Sequence, residues 1–321
     1  MIHNTMYNAA IIGAGQLGSR HLQGLKTASL PFKIWVMDKS EESLNIAKQR
    51  YDSVAAIGEK EIVLASDIEQ LPESLDFVVV ATGSISRASI VKTLLNHSQV
   101  KYMVLEKVLF PKLDEYDEIE SLIEKNGVKC WVNCARRMFG VYHEIKQILG
   151  NSSFEMQYEG ANWGLCCNSI HFIDIFMMLN GESEYSIDTN HLEPKVYNSK
   201  RNGYIELYGS LTVRTPKGSV LKLTCCKDAD LSTSYSICNN EQQISLEESR
   251  GILDVNGKKY SFRLPFQSET TGIYADMILK TGHCSLTPFR ESCNIHRIYV
   301  SELLGFYNRV IGENTDILPI T

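Results

Sequence analysis

Residues 11–18 read Ile11-Ile12-Gly13-Ala14-Gly15-Gln16-Leu17-Gly18, a G-x-G-x-x-G run placed directly after a short apolar stretch, Asn8 to Ile12. A second apolar stretch, Phe32 to Met37, then closes on an acid, Asp38. Each glycine answers a separate physical demand. Gly13 allows a tight strand-to-helix turn, Gly15 lets the main chain approach a pyrophosphate, and Gly18 lets the new helix lie close to the strand. Gln16 to Ala28 carries Leu17, His21 and Leu25 at i+4 spacing, as a helix should. The free N–H groups at its start, around Gln16 and Leu17, would face phosphate. Asp38 suits both ribose hydroxyls of an adenosine and repels a 2′-phosphate, which favours NAD. Lys39 beside it weakens that preference and leaves NADP open.

The bulk properties exclude several other classes. A chain of 321 residues can bury a large core, and its length suggests two domains. The net charge of −6, with no basic stripe, argues against nucleic acid as a partner, since such binding needs clustered Lys and Arg. Met1 to Met6 is polar and does not read as a secretory signal, and no window approaches the length of a membrane span. The nine cysteines are odd in number and include no C-x-x-C pair, so neither a disulfide framework nor a zinc site is expected. Reduced thiols in a cytoplasmic protein with no metal are the corresponding expectation.

Along the chain, strand and helix alternate through residue 135, as a parallel sheet covered on both faces requires. Strands are expected at Val54 to Ile57, Asp76 to Ala81, Tyr102 to Leu105 and Lys129 to Asn133, with helices after Ser40, over Arg87 to Asn96 and over Leu113 to Lys125. Beyond residue 135 the texture changes. Helices at Tyr142 to Leu149 and Asn168 to Leu179 bracket a strand at Phe154 to Tyr158. Short strands then follow from Ser186 to Leu264, one of them spanning Ile205 to Arg214. Hairpin signals such as Asn256-Gly257 make this series read as one antiparallel sheet. Helices return at Thr271 to Lys280 and Pro288 to Val310. The expected architecture is therefore α/β: a Rossmann domain with a parallel sheet over 1–135, then an α+β substrate domain with a large, mainly antiparallel sheet over 136–321. The helix at 288–310 is expected to pack back on the first domain.

Ligands in open parallel sheets sit beyond the carboxyl ends of the strands, so the glycine turn, Ala81-Thr82-Gly83 and Glu106-Lys107 should converge. A lysine at the end of a buried strand beside a cofactor is placed for proton transfer; the alternative is that Glu106-Lys107 merely opens an exposed loop. These clusters, together with His171 and Asp174 at the start of the second domain, resemble the glucose–fructose oxidoreductase / inositol dehydrogenase family (Gfo/Idh/MocA) over essentially the whole chain. That resemblance implies a nicotinamide-binding Rossmann domain followed by an α/β domain whose open sheet mediates homo-oligomerisation. A sugar, inositol or related polyol would lie between the two. The family's Glu-Lys-Pro motif corresponds to Glu106-Lys107-Val108, and its Asp-x-Gly-x-His segment to Cys167-Asn168-Ser169-Ile170-His171. The departures are Val108 for proline, Cys167 for the catalytic Asp, Ser169 for glycine, and Arg87 where a His is frequent.

The resemblance implies that Lys107 and His171 handle the proton while hydride passes to NAD, and that Glu106, Lys107, Ala81 and Thr82 help to hold the cofactor. On residue type alone, His171 reads first as a buried histidine satisfied by a carbonyl, and the resemblance reverses that order. Asn168 is either a sugar contact or a helix cap, and Trp163 either a stacking platform or a core residue. Asp174 could orient His171 or touch substrate. Arg136 or Arg137 could bind an acidic group or form a salt bridge. The expected activity is NAD(P)-dependent interconversion of a secondary alcohol and a ketone on a sugar, nucleotide sugar or polyol. The rivals are a lyase or epimerase that retains NAD, and a dinucleotide-binding regulatory or scaffold protein without catalysis.

Overall fold

The computed structural model describes residues 6–321, and these divide into two compact units. The first takes the described residues through Phe110, then Asp114–Asn133 and Pro265–Phe289. It opens with β1 (Tyr7–Ile12), α1 (Gln16–Lys26), β2 (Phe32–Met37), α2 (Glu41–Asp52), β3 (Lys60–Ala65), β4 (Ser74–Val80), α3 (Ser84–His97), β5 (Gln99–Leu105), α4 (Asp114–Lys125) and β6 (Lys129–Val132). The strands lie in the order β6-β5-β4-β1-β2-β3, all parallel. Continuous apolar runs make the central strands, because a sheet covered on both faces leaves no position for an exposed side chain. Phe77 to Val80 and Ala9 to Ile12 are accordingly buried throughout. The chain order reverses between β1 and β4, and a crevice at that switch point opens beyond their carboxyl ends.

The third strand is at Lys60–Ala65, not at Val54 to Ile57. It forms the edge beyond β2, where Lys60, Glu61 and Leu64 face outward in part, so its apolar signal is diluted. The Val54 to Ile57 segment is a loop instead, pinned by the Ile57 N–H donating to the Lys26 carbonyl at 3.1 Å.

The second unit comprises Pro111–Leu113, Cys134–Leu264 and Arg290–Thr321. It contains α5 (Gly140–Leu149), β7 (Glu155–Ala161), α6 (Leu165–Asn180), β8 (Ser186–Leu192), β9 (Tyr197–Asn198), β10 (Ile205–Glu206), β11 (Gly209–Arg214), β12 (Val220–Cys226), β13 (Ser234–Cys238), β14 (Gln243–Glu247), β15 (Ile252–Val255) and β16 (Lys258–Ser261). Eight of these strands form one sheet in the order β16-β15-β14-β13-β7-β12-β11-β8. It is antiparallel except between β7 and β12, which run parallel. Alternation along β12 buries Leu221, Leu223 and Cys225 on one face, against which α6 packs. The expected single strand over Ile205 to Arg214 is broken in two. Gly209 has φ +106° and lies so close to β8 that a Cβ there would come 2.4 Å from the His191 carbonyl oxygen. This turn frees β10 to pair with β9 instead of the main sheet.

The chain then re-enters the first unit as α7 (Gln267–Thr281) and β17 (Thr287–Pro288), the latter pairing antiparallel with β6, before α8 (Phe289–Ile311). Residues 265–289 thus group with the first unit and 290–321 with the second. The physical reason lies in two small residues. Gly24 on α1 and Gly272 on α7 let the helix backbones touch: a Cβ on Gly272 would stand 2.5 Å from the Gly24 carbonyl oxygen. By contrast α8 is tied into the second unit, where the Tyr299 hydroxyl donates to the Cys166 carbonyl at 2.8 Å.

Gly272→Val should therefore force α7 away from α1. We expect a loss of about 1–3 kcal/mol, typical of overpacking, read as a lower urea midpoint for the first unit.

Candidate active site

The glycine turn and the end of β4 build one half of a ligand site. Gly13 has φ +94°, and a Cβ there would stand 3.0 Å from Thr82 Cγ2. A Cβ on Gly18 would collide with the Gly13 carbonyl oxygen at 1.7 Å, whereas one on Gly15 would meet nothing within 4 Å. Gly15 thus faces open space at the head of α1, a helix with no side-chain cap. Gln16 is exposed and Leu17 half-buried at that head, with their N–H groups in the unsatisfied first turn. Asp38 is held by two backbone donors, Ala14 N–H at 2.7 Å on Oδ2 and Ser40 N–H at 2.9 Å on Oδ1. Each oxygen keeps a lone pair for a further donor.

An open pocket of about 420 Å³ connects these groups, lined by Gly13, Asp38, Lys39, Ile68, Thr82 and Ser86 among others. Ala81 lies between β4 and Thr82, half-buried. The Thr82 hydroxyl oxygen is buried and has no hydrogen-bond partner among the described residues. An orphaned buried hydroxyl, an open glycine cradle at a helix head, and a pinned carboxylate one strand away fit a dinucleotide.

Beside this half-site lies a buried polar cluster. Glu106, only 2% exposed, receives a hydrogen bond from the Asn133 amide and shares one of 2.9 Å with His21 Nε2. His21 Nδ1 lies 2.9 Å from Thr271 Oγ1 and 3.1 Å from the Tyr274 hydroxyl, both on α7. Burial alone would raise the Glu106 carboxyl. The hydrogen bond and charge of His21, the charge of Lys107 and the Asn133 amide outweigh it and hold the group below its ordinary value of 4.5. Lys107 follows directly, half-buried, and the Lys107–Val108 peptide bond is cis. Arg87 braces the same edge: its guanidinium, 1% exposed, donates to the carbonyls of Val108, Leu109 and Thr82. The residue that departs from the family's histidine therefore ties the end of β4 to the loop after Lys107.

In the second unit, the loop before α6 and the first turn of that helix bring Trp163, Cys167 and Asn168 around a pocket of about 540 Å³. The Trp163 indole N–H donates to the Thr224 carbonyl at 2.8 Å, and its ring stands edge-on to Tyr158 and Phe172, so it is both wall and core. The Asn168 amide donates to the Trp163 carbonyl at 2.6 Å, closing the loop on itself. His171 sits one turn further along α6, half-buried. Arg137 and Asp174 meet each other: Arg137 Nε donates to Asp174 Oδ2 at 2.8 Å, and its other arm reaches Glu291 at 2.7 Å. Burial would lower the Arg137 guanidinium, yet Asp174 and Glu291 outweigh it and raise it. Arg136 makes a two-pronged pair with Glu248, at 3.0 and 2.8 Å, and stacks over Phe172. The charges that the sequence offers to an acidic ligand are thus engaged in ion pairs within this unit.

Residues 7–134 match the family model described as an oxidoreductase family with an NAD-binding Rossmann fold, Gfo/Idh/MocA. The match to that family is confined to these residues. No curated protein sequence matches the chain. Solved structures share the fold across its length. An oxidoreductase from Agrobacterium radiobacter, in complex with NAD+, L-tartaric acid and magnesium, is 15% identical with a TM-score of 0.67, over 92% of this chain and 95% of that one. Apo scyllo-inositol dehydrogenase from Lactobacillus casei is 13% identical with a TM-score of 0.65, over 98% and 96%. A 3-ketoreductase from Actinomadura kijaniata, in complex with TDP-benzene and NADP, is 12% identical with a TM-score of 0.69, over 92% and 96%.

The family model matching residues 7–134 is that of an NAD-binding Rossmann fold, which agrees with the cradle built by Gly13, Gly15, Asp38 and Thr82; the Actinomadura ketoreductase of the same fold holds NADP. Within residues 7–134 the sequence left His21 and Asn133 unassigned, although they hold Glu106. Only the polar type of His21 on an otherwise apolar helix face signals its role. In the second unit the buried carboxylate of Glu206 carries no local sequence signal, because its short strand β10 lies outside the main sheet.

Two outcomes test this site. Asp38→Asn should weaken NAD binding by about tenfold, the worth of a hydrogen bond to a charged group, and narrow the gap to NADP; calorimetric titration of both cofactors reads it. His21→Leu strips Glu106 of its principal partner, at a cost of about 3–5 kcal/mol at neutral pH. In the wild type, the stability owed to Glu106 ionisation is complete above its ordinary value of 4.5 and is lost as pH falls through its lower folded value. In the variant burial dominates and the sign reverses, so urea melts across the acid range should converge.

Proposed function

We propose that the chain is an NAD(P)-dependent oxidoreductase that interconverts a secondary alcohol and a ketone on a sugar, nucleotide sugar or polyol. The observation that carries the reading is Lys107, a half-buried cation at the carboxyl end of β5, next to a buried carboxylate held by His21 and Asn133. It belongs to the same domain as the glycine turn and the orphaned Thr82 hydroxyl. The bound nicotinamide supplies the hydride acceptor. Lys107 holds the substrate oxygen and His171 takes its proton, so that one alcohol yields one ketone, one hydride and one proton. In the reductive direction the same pair returns the proton. Trp163 and Asn168 contribute the sugar-binding surface. The names of the structural relatives, an inositol dehydrogenase, a 3-ketoreductase and an oxidoreductase holding L-tartaric acid, support a polyhydroxylated substrate.

Lys107→Ala and His171→Ala should each lower kcat/KM by about 10²–10⁴-fold while NAD still binds, with NADH absorbance and calorimetry as the two readouts. A wild type that turns over no member of a panel of polyols, aldoses and nucleotide sugars, in either direction, would sink the reading.

A further inference from the structure

The pocket at the head of α6 contains a carboxylate that the reading above leaves without a task. Glu206 lies on β10, is 8% exposed, and lines the pocket with Trp163, Cys167, Asn168 and Tyr208. Its Oε1 accepts the Cys166 N–H at 2.6 Å and the Leu207 N–H at 3.0 Å, which fixes the carboxyl plane against the first turn of α6. Its Oε2 lies toward Gly164, 3.4 Å from the place a Cβ would occupy there. That same point is 3.2 Å from Asn168 Nδ2 and 3.9 Å from Cys167 Cβ. Gly164, at φ +80°, leaves this point open, and Glu206, Asn168 and Cys167 surround it.

Capping α6 through the Cys166 and Leu207 N–H groups occupies Oε1, and the Cys166 thiol donates to the same carboxylate. A cap needs no buried charge: Ser or Asn at the helix head itself would serve, whereas here the carboxyl comes from another strand and is largely removed from water. Burial raises the Glu206 carboxyl against the Cys166 and Leu207 donors that lower it. A ligand whose hydroxyls donate to the carboxylate would offset that desolvation. The walls narrow the ligand class further. The Trp163 and Tyr208 rings offer apolar faces for C–H groups, while the Asn168 side chain both donates and accepts.

We propose that Glu206 is a substrate-binding residue whose Oε2 accepts a hydrogen bond from a hydroxyl of a polyol or sugar held in this pocket. It brings a carboxylate to the wall adjoining Cys167, the position at which the family pattern has an acid. The proposal rests on the reading of the chain as a sugar or polyol oxidoreductase.

The test is direct binding to the full chain loaded with NAD, titrating myo-inositol and D-glucose by calorimetry. Glu206→Gln preserves the shape and the oxygen that accepts the two N–H groups, but places an N–H donor where Oε2 stood. The Kd of whichever probe binds the wild type should rise by about tenfold to about a hundredfold, with NAD affinity and Tm unchanged. Adding Cys167→Asp to that variant should recover part of the loss. Equal binding by Glu206→Gln and wild type overturns the proposal, as does failure of both probes to bind the wild type. If Glu206→Gln lowers Tm too far for titration, Cys167→Phe fills the same point from a half-exposed position; it should abolish binding, and unchanged binding overturns the proposal. The two readings fail separately. Glu206-dependent binding without NADH formation removes the oxidoreductase assignment alone, and NADH formation with a KM indifferent to Glu206→Gln removes this one alone.

Discussion

The contact between Glu106 and His21 organises the first unit. A carboxylate that is 2% exposed is costly unless it is paired and hydrogen-bonded, and here its partners come from segments far apart in the chain. His21 arrives on α1, Asn133 just past β6, and Thr271 and Tyr274 on α7, which reaches this cluster only because Gly24 and Gly272 let two helices touch. Satisfying one buried charge therefore locks the nucleotide-binding helix, the sheet and the returning helix together.

Around that anchor, the loops facing the cofactor are held by backbone donors and acceptors. Asp38 is pinned by Ala14 and Ser40, and Arg87 spans from the Thr82 carbonyl to those of Val108 and Leu109. The two side chains thus connect the ends of neighbouring strands on either side of the switch point. Such bracing pre-organises a ligand site, because the loops have little conformational freedom left to lose on binding.

The second unit distributes its charges differently. Arg137 with Asp174 is a buried ion pair and Arg136 with Glu248 a largely buried one, while Glu291 joins Arg137 from the surface. Glu206 is the contrast: it is buried, has backbone donors on one oxygen, and lines a pocket. Burial raises its carboxyl, whereas pairing lowers that of Glu106. The same residue type is thus driven in opposite directions by whether a cation lies within reach.

Local physics made the first half of the molecule legible in sequence. The Gly13-Gly15-Gly18 turn, the apolar central strands, Asp38 at the end of β2 and Lys107 at the end of β5 follow from spacing and residue type within a few turns of chain, and each occupies the expected position on its element. The edge strand β3 was shifted because a half-exposed strand carries a weaker apolar pattern. The break between β10 and β11 was hidden because it depends on how closely Gly209 approaches a neighbouring strand. Spacing and residue type were enough for the cofactor class, the parallel sheet and the change to antiparallel strands beyond residue 135. Long-range packing alone brings α7 back to the first unit, Arg137 to Asp174, His21 to Glu106 and the Glu206 carboxylate to the head of α6. Those outcomes rest on contacts between residues distant in the chain, and burial or pairing of a charge is a property of the assembled neighbourhood that no local spacing encodes.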